Sequence, residues 1–114
     1  MSSHVRNTVL VIDDEPKIRR FLRAGFELHG FAVVEAATGA EGLKVAMHAN
    51  PDLIILDLRL PDIGGDEVLE RLRAWASTPV IILSAVSDEA EKVRLLKAGA
   101  DDYVTKPFGI AELV

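Results

Sequence analysis

The stretch TVLVIDDEPKIRRFLRAGF, residues 8–26, decides the prediction of the fold. It begins with the aliphatic and β-branched run Thr8–Ile12, which predicts a short buried strand. Three acids follow, and then Pro16, a residue that suits the first turn of a helix. Apolar residues next recur at helical spacing, at Ile18, Phe21, Leu22, Gly25 and Phe26. The stretch therefore predicts a strand, an acidic turn and an amphipathic helix in immediate succession.

The alternation of strand and helix continues along the rest of the chain. Further strands are predicted at Ala32–Glu35, Leu53–Leu56, Val80–Leu83 and Asp102–Thr105. Further helices are predicted at about 39–49, 66–75 and 88–98, and an incomplete last helix begins near Ile110. This alternation predicts a doubly wound parallel α/β sheet with helices on both faces. The strand order 2-1-3-4-5 is one of two common solutions, between which periodicity does not choose.

The composition limits the functions that this chain can have. Its 114 residues, 49% of them hydrophobic, are sufficient for one packed domain spanning 1–114. A net charge of −5 argues against direct binding of nucleic acid, which requires clustered Lys and Arg. The absence of cysteine excludes disulfides and thiolate chemistry. Because no apolar run is long enough to span a bilayer, we expect a cytoplasmic protein without a membrane partner.

Chemically informative side chains follow several predicted strands. Asp13, Asp14 and Glu15 follow the first strand, Asp57 follows the third, Ser84 the fourth and Lys106 the fifth. Carboxyl ends of parallel strands share one edge of the sheet, where doubly wound folds bind ligands. Carboxylates about 5 Å apart there repel by about 3 kcal/mol per pair at an effective dielectric near 20. A hard divalent cation relieves this repulsion, so the sequence predicts a Mg²⁺ site.

The same residues support a phosphoryl-transfer chemistry. The Asp57 carboxylate can serve as a nucleophile that forms an aspartyl phosphate. Mg²⁺ and the Lys106 ammonium neutralise charge on the transferring oxygens, and the Ser84 hydroxyl donates a hydrogen bond to one of them. Each residue also has a simpler interpretation: the acids cap the first helix, Ser84 is a loop hydroxyl, and Lys106 is a surface charge. The joint pattern favours function.

Four sequence blocks resemble the receiver domains of two-component response regulators, over essentially the whole chain. The blocks are Val9–Glu15, Pro51–Pro61, Pro79–Ala85 and Gly99–Phe108. The resemblance implies a fold with strand order 2-1-3-4-5 and a phosphoacceptor aspartate that receives its phosphoryl group from a sensor histidine kinase. By position, the phosphoacceptor is Asp57, the metal ligands are Asp13, Asp14, Asp57 and the Arg59 carbonyl, and the phosphoryl contacts are Ser84 and Lys106. It also implies a cis peptide bond before Pro107.

Tyr103 keeps two alternative interpretations, and Arg59 and Val86 bear on the lifetime of the phosphate. Tyr103 is either a core aromatic or a switch whose position reports the state of Ser84. Arg59 and Val86, beside the site, offer neither a carboxylate nor an amide to position an attacking water. We therefore expect slow self-dephosphorylation, so that the chain is a switch and not a turnover enzyme.

The pair Asp101-Asp102 and the ending Lys106–Phe108 resemble the OmpR/PhoB class of transcription regulators. That class implies a C-terminal winged-helix DNA-binding domain, absent from this chain, so that any contact with DNA belongs to a longer parent protein. It also implies a homodimer formed on phosphorylation through helix 4, strand 5 and helix 5. The dimer face then includes Lys92, Asp101, Asp102 and Glu112. Because helix 5 is cut short, we expect this form to be mainly monomeric in dilute solution or to pair differently from the family, for example by exchanging its C-terminal segment.

Three other functions share parts of this pattern. A haloacid-dehalogenase-type enzyme also forms an aspartyl phosphate, but its nucleophile follows strand 1 in an Asp-x-Asp pattern, whereas Asp13 and Asp14 are adjacent. A flavodoxin-like cofactor binder requires a phosphate loop after strand 1, where these acids repel phosphate. A phosphate-independent interaction module leaves the joint set of acids, hydroxyl and lysine unexplained. The receiver function accounts for all of these residues.

Overall fold

The computed structural model describes residues 7–85, 87–106, 109 and 113, and these residues form alternating strands and helices. The strands are β1 (Thr8–Ile12), β2 (Ala32–Ala36), β3 (Leu53–Asp57), β4 (Val80–Ser84) and β5 (Asp102–Thr105). The helices are α1 (Pro16–Leu28), α2 (Gly39–Ala49), α3 (Gly65–Arg73) and α4 (Glu89–Lys97). Every predicted element that lies within the described residues is therefore present.

The five strands form one parallel sheet in the order β2-β1-β3-β4-β5. This confirms the predicted doubly wound fold and its order 2-1-3-4-5. The order places β1 beside β3 at the point where the direction of winding reverses. The residues that leave the carboxyl ends of these two strands therefore begin next to each other.

Strand boundaries differ from the prediction at two positions that matter for the site. β3 and β4 each extend one residue further than predicted, to Asp57 and Ser84. Asp57 pairs in register with Leu83, and Ser84 pairs with Thr105. Both polar residues consequently belong to the hydrogen-bonded sheet, which fixes their backbone positions.

The core has two layers, one on each face of the sheet. Alternate strand residues such as Leu10, Ile54 and Ile82 pack against α2, α3 and α4, and their neighbours Val9, Val11 and Ile55 pack against α1. Alternation of side chains along a strand produces this division. Full burial of each aliphatic side chain contributes about 1.5–3 kcal/mol. Helices on both faces leave the ends of the strands as the accessible part of the sheet.

Some predictions concern residues that the structure does not describe. The last helix expected from Ile110 lies outside the described residues, apart from Leu113, which is buried against the α1 face of the sheet. None of the helices within the described ranges has the length and apolar character needed to span a bilayer.

Candidate functional site

Three carboxylates meet where β1 and β3 end. Asp13 directly follows β1 and is fully buried, Asp57 is the buried last residue of β3, and Asp14 is exposed. One carboxylate oxygen from each lies within 4.8 Å of the others. The parallel pairing of Ile12 with Leu56 explains this meeting, because the next residue of each strand is an aspartate. The structure thus brings together the three acids that the sequence predicted as metal ligands.

Burial and mutual repulsion disfavour the charged forms of these acids. Burial, followed by the charge of Asp13, raises the pKa of Asp57 to about 6. Burial likewise raises the pKa of Asp13, although a hydrogen bond from the Glu15 amide partly offsets the effect. Two ionised carboxylates in this position repel each other and have lost much of their hydration. The site therefore favours a cation between the acids.

Lys106 provides one positive charge to this cluster. Its ammonium Nζ lies 3.4 Å from Asp13 Oδ2, 3.5 Å from Glu15 Oε1 and 3.6 Å from Asp57 Oδ1. Burial lowers the pKa of Lys106, but the charges of Asp13 and Asp57 outweigh this effect and leave the pKa above its usual value. The Lys106 amide also donates to the Ser84 carbonyl at 2.7 Å. Lys106 is thus a member of the site and not a solvated surface charge.

Capping of helix α1 does not explain the acids Asp13, Asp14 and Glu15 that follow β1. Glu15 occupies the N-cap position of α1, but its side chain makes no capping hydrogen bond, and the first turn of α1 contains no acid. The Asp13 side chain instead accepts a hydrogen bond from the Glu15 amide at 2.9 Å. The interpretation of these acids as a helix cap is therefore not supported.

Comparison with models of known protein families shows that residues 9–114 match the response regulator receiver domain. This chain is a response-regulator receiver domain. KdpE of Escherichia coli (strain K12), the KDP operon transcriptional regulatory protein, is 55% identical over 92% of this chain and 47% of its own length. This receiver domain spans about half the length of the curated relatives that it matches. The curated relatives that it matches include regulators of the OmpR/PhoB class.

Solved structures agree with this family. The receiver domain of the Francisella response regulator 1452 has a TM-score of 0.90 and 42% identity, covering 95% of this chain and 90% of that one. A Burkholderia pseudomallei response regulator, solved with a phosphorylated aspartic acid, calcium ion and citrate, has a TM-score of 0.88 and 30% identity, covering 94% and 64%. Receiver domains typically bind Mg²⁺ at an acidic pocket, and this one has a matching aspartate cluster.

Two segments of this receiver domain carry the more specific similarity to KdpE. They are Trp75 before Ser-Thr-Pro-Val, and the ending Lys-Pro-Phe-Gly-Ile-Ala-Glu-Leu at 106–113. Trp75 lies just beyond α3 and is about half exposed. The second segment lies largely outside the described residues, so this likeness rests on sequence.

The remaining predicted residues of the receiver domain lie around the acids. Ser84 is buried at the end of β4, one residue beyond the partner of Asp57 in the sheet. The Arg59 amide donates to Asp57 Oδ1 at 3.5 Å, which places the segment after β3 beside the predicted phosphoacceptor. Tyr103 is 6% exposed and packs in the core on the α2–α4 face, so the described conformation is the buried one. Its proposed movement with Ser84 stays a prediction.

The residues predicted for the dimer face are only partly described. Lys92 lies on α4 and exposed Asp102 begins the adjacent β5. The Asp101 carboxylate is engaged within the chain, because it accepts hydrogen bonds from the Val80 amide at 2.8 Å and from Arg73 at 3.2 Å. Glu112 lies outside the described residues, as do Pro107, for which a cis peptide bond was predicted, and Val86.

Sequence reasoning missed two contacts that support this site. Arg19, which falls outside the apolar stripe of α1, pairs with Glu35 of β2 at 2.9 Å and donates to the Asp13 carbonyl at 2.8 Å. Asp62, in the loop after β3, accepts hydrogen bonds from the Gly39 and Ala40 amides at the start of α2. The second contact joins residues more than twenty positions apart, so neither periodicity nor spacing predicts it.

Proposed function

We propose that this receiver domain accepts a phosphoryl group on Asp57 from a sensor histidine kinase, in the presence of Mg²⁺. One observation supports the proposal most directly. Oxygens of Asp13, Asp14 and Asp57 lie within 4.8 Å of one another, and the Lys106 ammonium is 3.6 Å from Asp57. A nucleophilic carboxylate, a set of hard oxygen donors and a fixed cation are the parts that phosphoryl transfer to aspartate requires.

The donor set fits Mg²⁺. Carboxylates of Asp13, Asp14 and Asp57, with the main-chain carbonyl of Arg59, are hard oxygen ligands of the kind that this ion prefers. The raised pKa of Asp57, about 6, reflects a negative charge that the described residues compensate incompletely. When bound, Mg²⁺ supplies positive charge that stabilises the oxygens of the transferring phosphoryl group.

Three side chains of the protein take part in the phosphoryl transfer. A carboxylate oxygen of Asp57 attacks the phosphorus atom, forming a P–O bond, while the bond from phosphorus to the donor nitrogen breaks and its electron pair stays with the donor. The Lys106 ammonium pairs with a phosphoryl oxygen, and the Ser84 hydroxyl donates a hydrogen bond to another. Both groups stabilise the phosphorylated state more than the free one and thereby favour a switched conformation.

We assign the output of the switch to transcription. The relative from E. coli is named as the regulator of the KDP operon, and it is about twice the length of this chain. Residues 1–114 accordingly form the receiver domain of a regulator whose C-terminal DNA-binding domain lies outside this chain. Phosphorylation favours a homodimer through α4, β5 and the following helix, with Lys92 and Asp102 on its face. Regulation of a potassium-transport operon is the corresponding cellular role.

Incubation with acetyl phosphate tests this function. With Mg²⁺, intact-mass analysis should show a single acid-stable, base-labile phosphate, and peptide mapping should place it on Asp57. EDTA and Asp57→Asn should each abolish the adduct. An unmodified chain, or a phosphate that persists in Asp57→Asn, contradicts the assignment of Asp57.

A second measurement concerns the lifetime of the phosphate. Arg59 is exposed and carries no group that can position an attacking water by accepting its proton. The phosphate should therefore hydrolyse over many minutes or longer, as suits a switch and not a turnover enzyme. Loss of the phosphate within seconds, with no phosphatase present, contradicts this expectation.

A further inference from the structure

The loop between β3 and α3 is anchored to the site at both of its ends. The Leu58 amide donates to the Leu83 carbonyl at 3.0 Å, and the Gly65 amide donates to the Leu58 carbonyl at 2.8 Å. A Cβ atom on Gly65 would lie 2.5 Å from the Asp57 carbonyl oxygen, so only glycine permits α3 to begin so close to the strand. Arg59 follows Leu58 directly, and its amide donates to Asp57 Oδ1 at 3.5 Å. These contacts leave the outer part of the loop, beyond Arg59, to be fixed by other means.

Asp62 fixes the outer part of this loop to helix α2. Its Oδ1 accepts a hydrogen bond from the Gly39 amide at 2.8 Å, and its Oδ2 accepts one from the Ala40 amide at 2.9 Å. The neighbouring Ile63 packs so closely that a Cβ atom on Gly39 would lie 2.5 Å from its side chain. Hydrogen bonds from Ala40 and Gly39 lower the pKa of Asp62 to about 2. The carboxylate is therefore ionised, and both bonds are available, throughout the physiological pH range.

Helix α2 has a cap of its own without Asp62. The Thr38 hydroxyl accepts a hydrogen bond from the Glu41 amide at 3.1 Å, and the Glu41 carboxylate accepts one from the Ala37 amide at 2.7 Å. This arrangement resembles a capping box, except that Glu41 accepts from the amide before the N-cap residue, and it caps the helix from within its own segment. What Asp62 adds is a connection between the loop and the helix, across 22 and 23 residues of sequence.

We propose that Asp62 is a positioning residue, which holds the β3–α3 loop so that the Arg59 carbonyl is presented to the metal before the metal binds. The inference rests on the proposed function, in which that carbonyl is a ligand. A loop already ordered by Asp62 loses little conformational entropy on metal binding, whereas a free loop must be ordered at that moment. Residues that orient metal ligands typically change metal affinity about 10–100-fold when they are removed.

The chain contains a matched control for Asp62. Asp52, just before β3, accepts a hydrogen bond from the Thr8 amide at 2.8 Å. Both acids are exposed and flank the same strand, and each binds the main chain of another element. Asp52 lies at the opposite end of the strand from the carboxylate cluster. Asp52→Ala therefore removes the same charge and the same kind of hydrogen bond without disturbing the loop.

Calorimetric titration with Mg²⁺ tests the proposal on the wild-type chain, Asp62→Ala, Asp62→Asn and Asp52→Ala. Asp62→Ala should weaken Mg²⁺ binding about tenfold, and Asp52→Ala should leave it within about twofold of wild type. Asp62→Asn, which keeps one acceptor oxygen but no charge, should fall between wild type and Asp62→Ala. Phosphorylation of Asp62→Ala by acetyl phosphate should be slow at low Mg²⁺ and recover at saturating Mg²⁺, which a purely structural defect would not do.

Three results would overturn the proposal while leaving the proposed function intact. The first is an unchanged Mg²⁺ affinity in Asp62→Ala, and the second is an equal loss of Mg²⁺ affinity in Asp52→Ala. The third is an Asp62→Asn variant that binds Mg²⁺ as weakly as Asp62→Ala, because the loss of the negative charge alone would then explain the effect. If Asp62→Ala does not fold, the comparison of Asp62→Asn with Asp52→Asn decides the matter. A wild-type chain that binds no Mg²⁺ and accepts no phosphate overturns the proposed function, and this inference with it.

Discussion

Acids at the amino ends of the strands each stabilise a neighbouring strand, whereas acids at the carboxyl ends oppose one another. Asp52 and Asp101 accept hydrogen bonds from the first amides of β1 and β4, both at 2.8 Å. Asp13 and Asp57 instead face each other and share the Lys106 ammonium. One sheet thus has a satisfied end, where carboxylates are bound to main-chain amides, and an end where two buried carboxylates repel each other. The second end holds the residues that we propose for phosphoryl transfer.

Arg73 is the centre of the satisfied end. From α3 it donates twice to the Gly99 carbonyl, at 3.0 and 2.8 Å, and also to the Ala76 carbonyl and the Asp101 carboxylate. It thereby joins the end of α3 to the segments that lead into β4 and β5. Substitutions at the two ends should therefore differ in sign: loss of stability at the amino end, and gain of stability with loss of function at the carboxyl end.

The largest change in stability is expected from Arg73→Ala. Removing the guanidinium leaves two main-chain carbonyls without their donor and should lower the free energy of unfolding by about 2–3 kcal/mol. Phosphorylation by acetyl phosphate should persist. Arg71→Ala is the control, because exposed Arg71 pairs with Glu67 on the same helix and, within the described residues, with no other acid. It should change stability by about 0.5 kcal/mol or less. Equal effects of both substitutions, measured by urea unfolding, would remove the distinction between the two arginines.

Asp57→Asn is expected to raise the free energy of unfolding, whereas Arg73→Ala lowers it. Asparagine keeps the shape of the side chain but removes one of two buried, mutually repelling charges. At pH 7 without Mg²⁺ the free energy of unfolding should rise by about 2 kcal/mol, although phosphorylation is lost. Asp52→Asn makes the same replacement at the other end of β3, where the carboxylate is satisfied, and should not stabilise. If Asp57→Asn has a lower free energy of unfolding than the wild type, repulsion between the buried carboxylates does not destabilise the fold.

The smallest expected effect is the pH dependence of the stability gained in Asp57→Asn. The pKa of Asp57 is about 6 in the folded chain, above its ordinary value of 3.8, so the folded chain binds more protons between these values. The stability contributed by protonated Asp57 is fully present below about pH 4 and is lost as pH rises through 6. The advantage of Asp57→Asn over wild type should therefore shrink as pH falls from 7 to 4.5. Urea unfolding in EDTA at several pH values measures it, and a gain independent of pH would assign the effect to packing.

The sequence predicts the central part of the site well because parallel strands follow simple geometry. Asp13 and Asp57 each end an apolar run, and adjacent parallel strands bring such positions together. Ser84 and Lys106 follow from the same argument. The strand order that makes β1 and β3 neighbours came from the resemblance to receiver domains and is confirmed. The roles of these residues came from the same resemblance and stay predictions.

The long-range contacts that support the site could not be predicted from the sequence. The Asp62 bonds to α2 and the Arg73 bonds to the Gly99 carbonyl connect main-chain groups, which every residue has, to side chains far away in sequence. No pattern of residue types marks such a partner. Asp101 illustrates the consequence: the family resemblance assigned it to a dimer face, whereas its carboxylate is bound to Val80 and Arg73 within the chain. Long-range partners of this kind need coordinates.

The position of Lys106 beyond the fifth strand has a consequence for the order in which the domain becomes competent. Among the described strands, β5 is an edge strand that pairs only with β4, and it brings Lys106 across 93 residues of sequence to Asp13. Edge elements open with a smaller free energy than the whole fold. Transient detachment of β5 would withdraw the lysine and leave the aspartates assembled. We therefore predict a partly open state that retains the aspartate cluster and lacks the Lys106 ammonium, and amide hydrogen exchange in β5 would report its population.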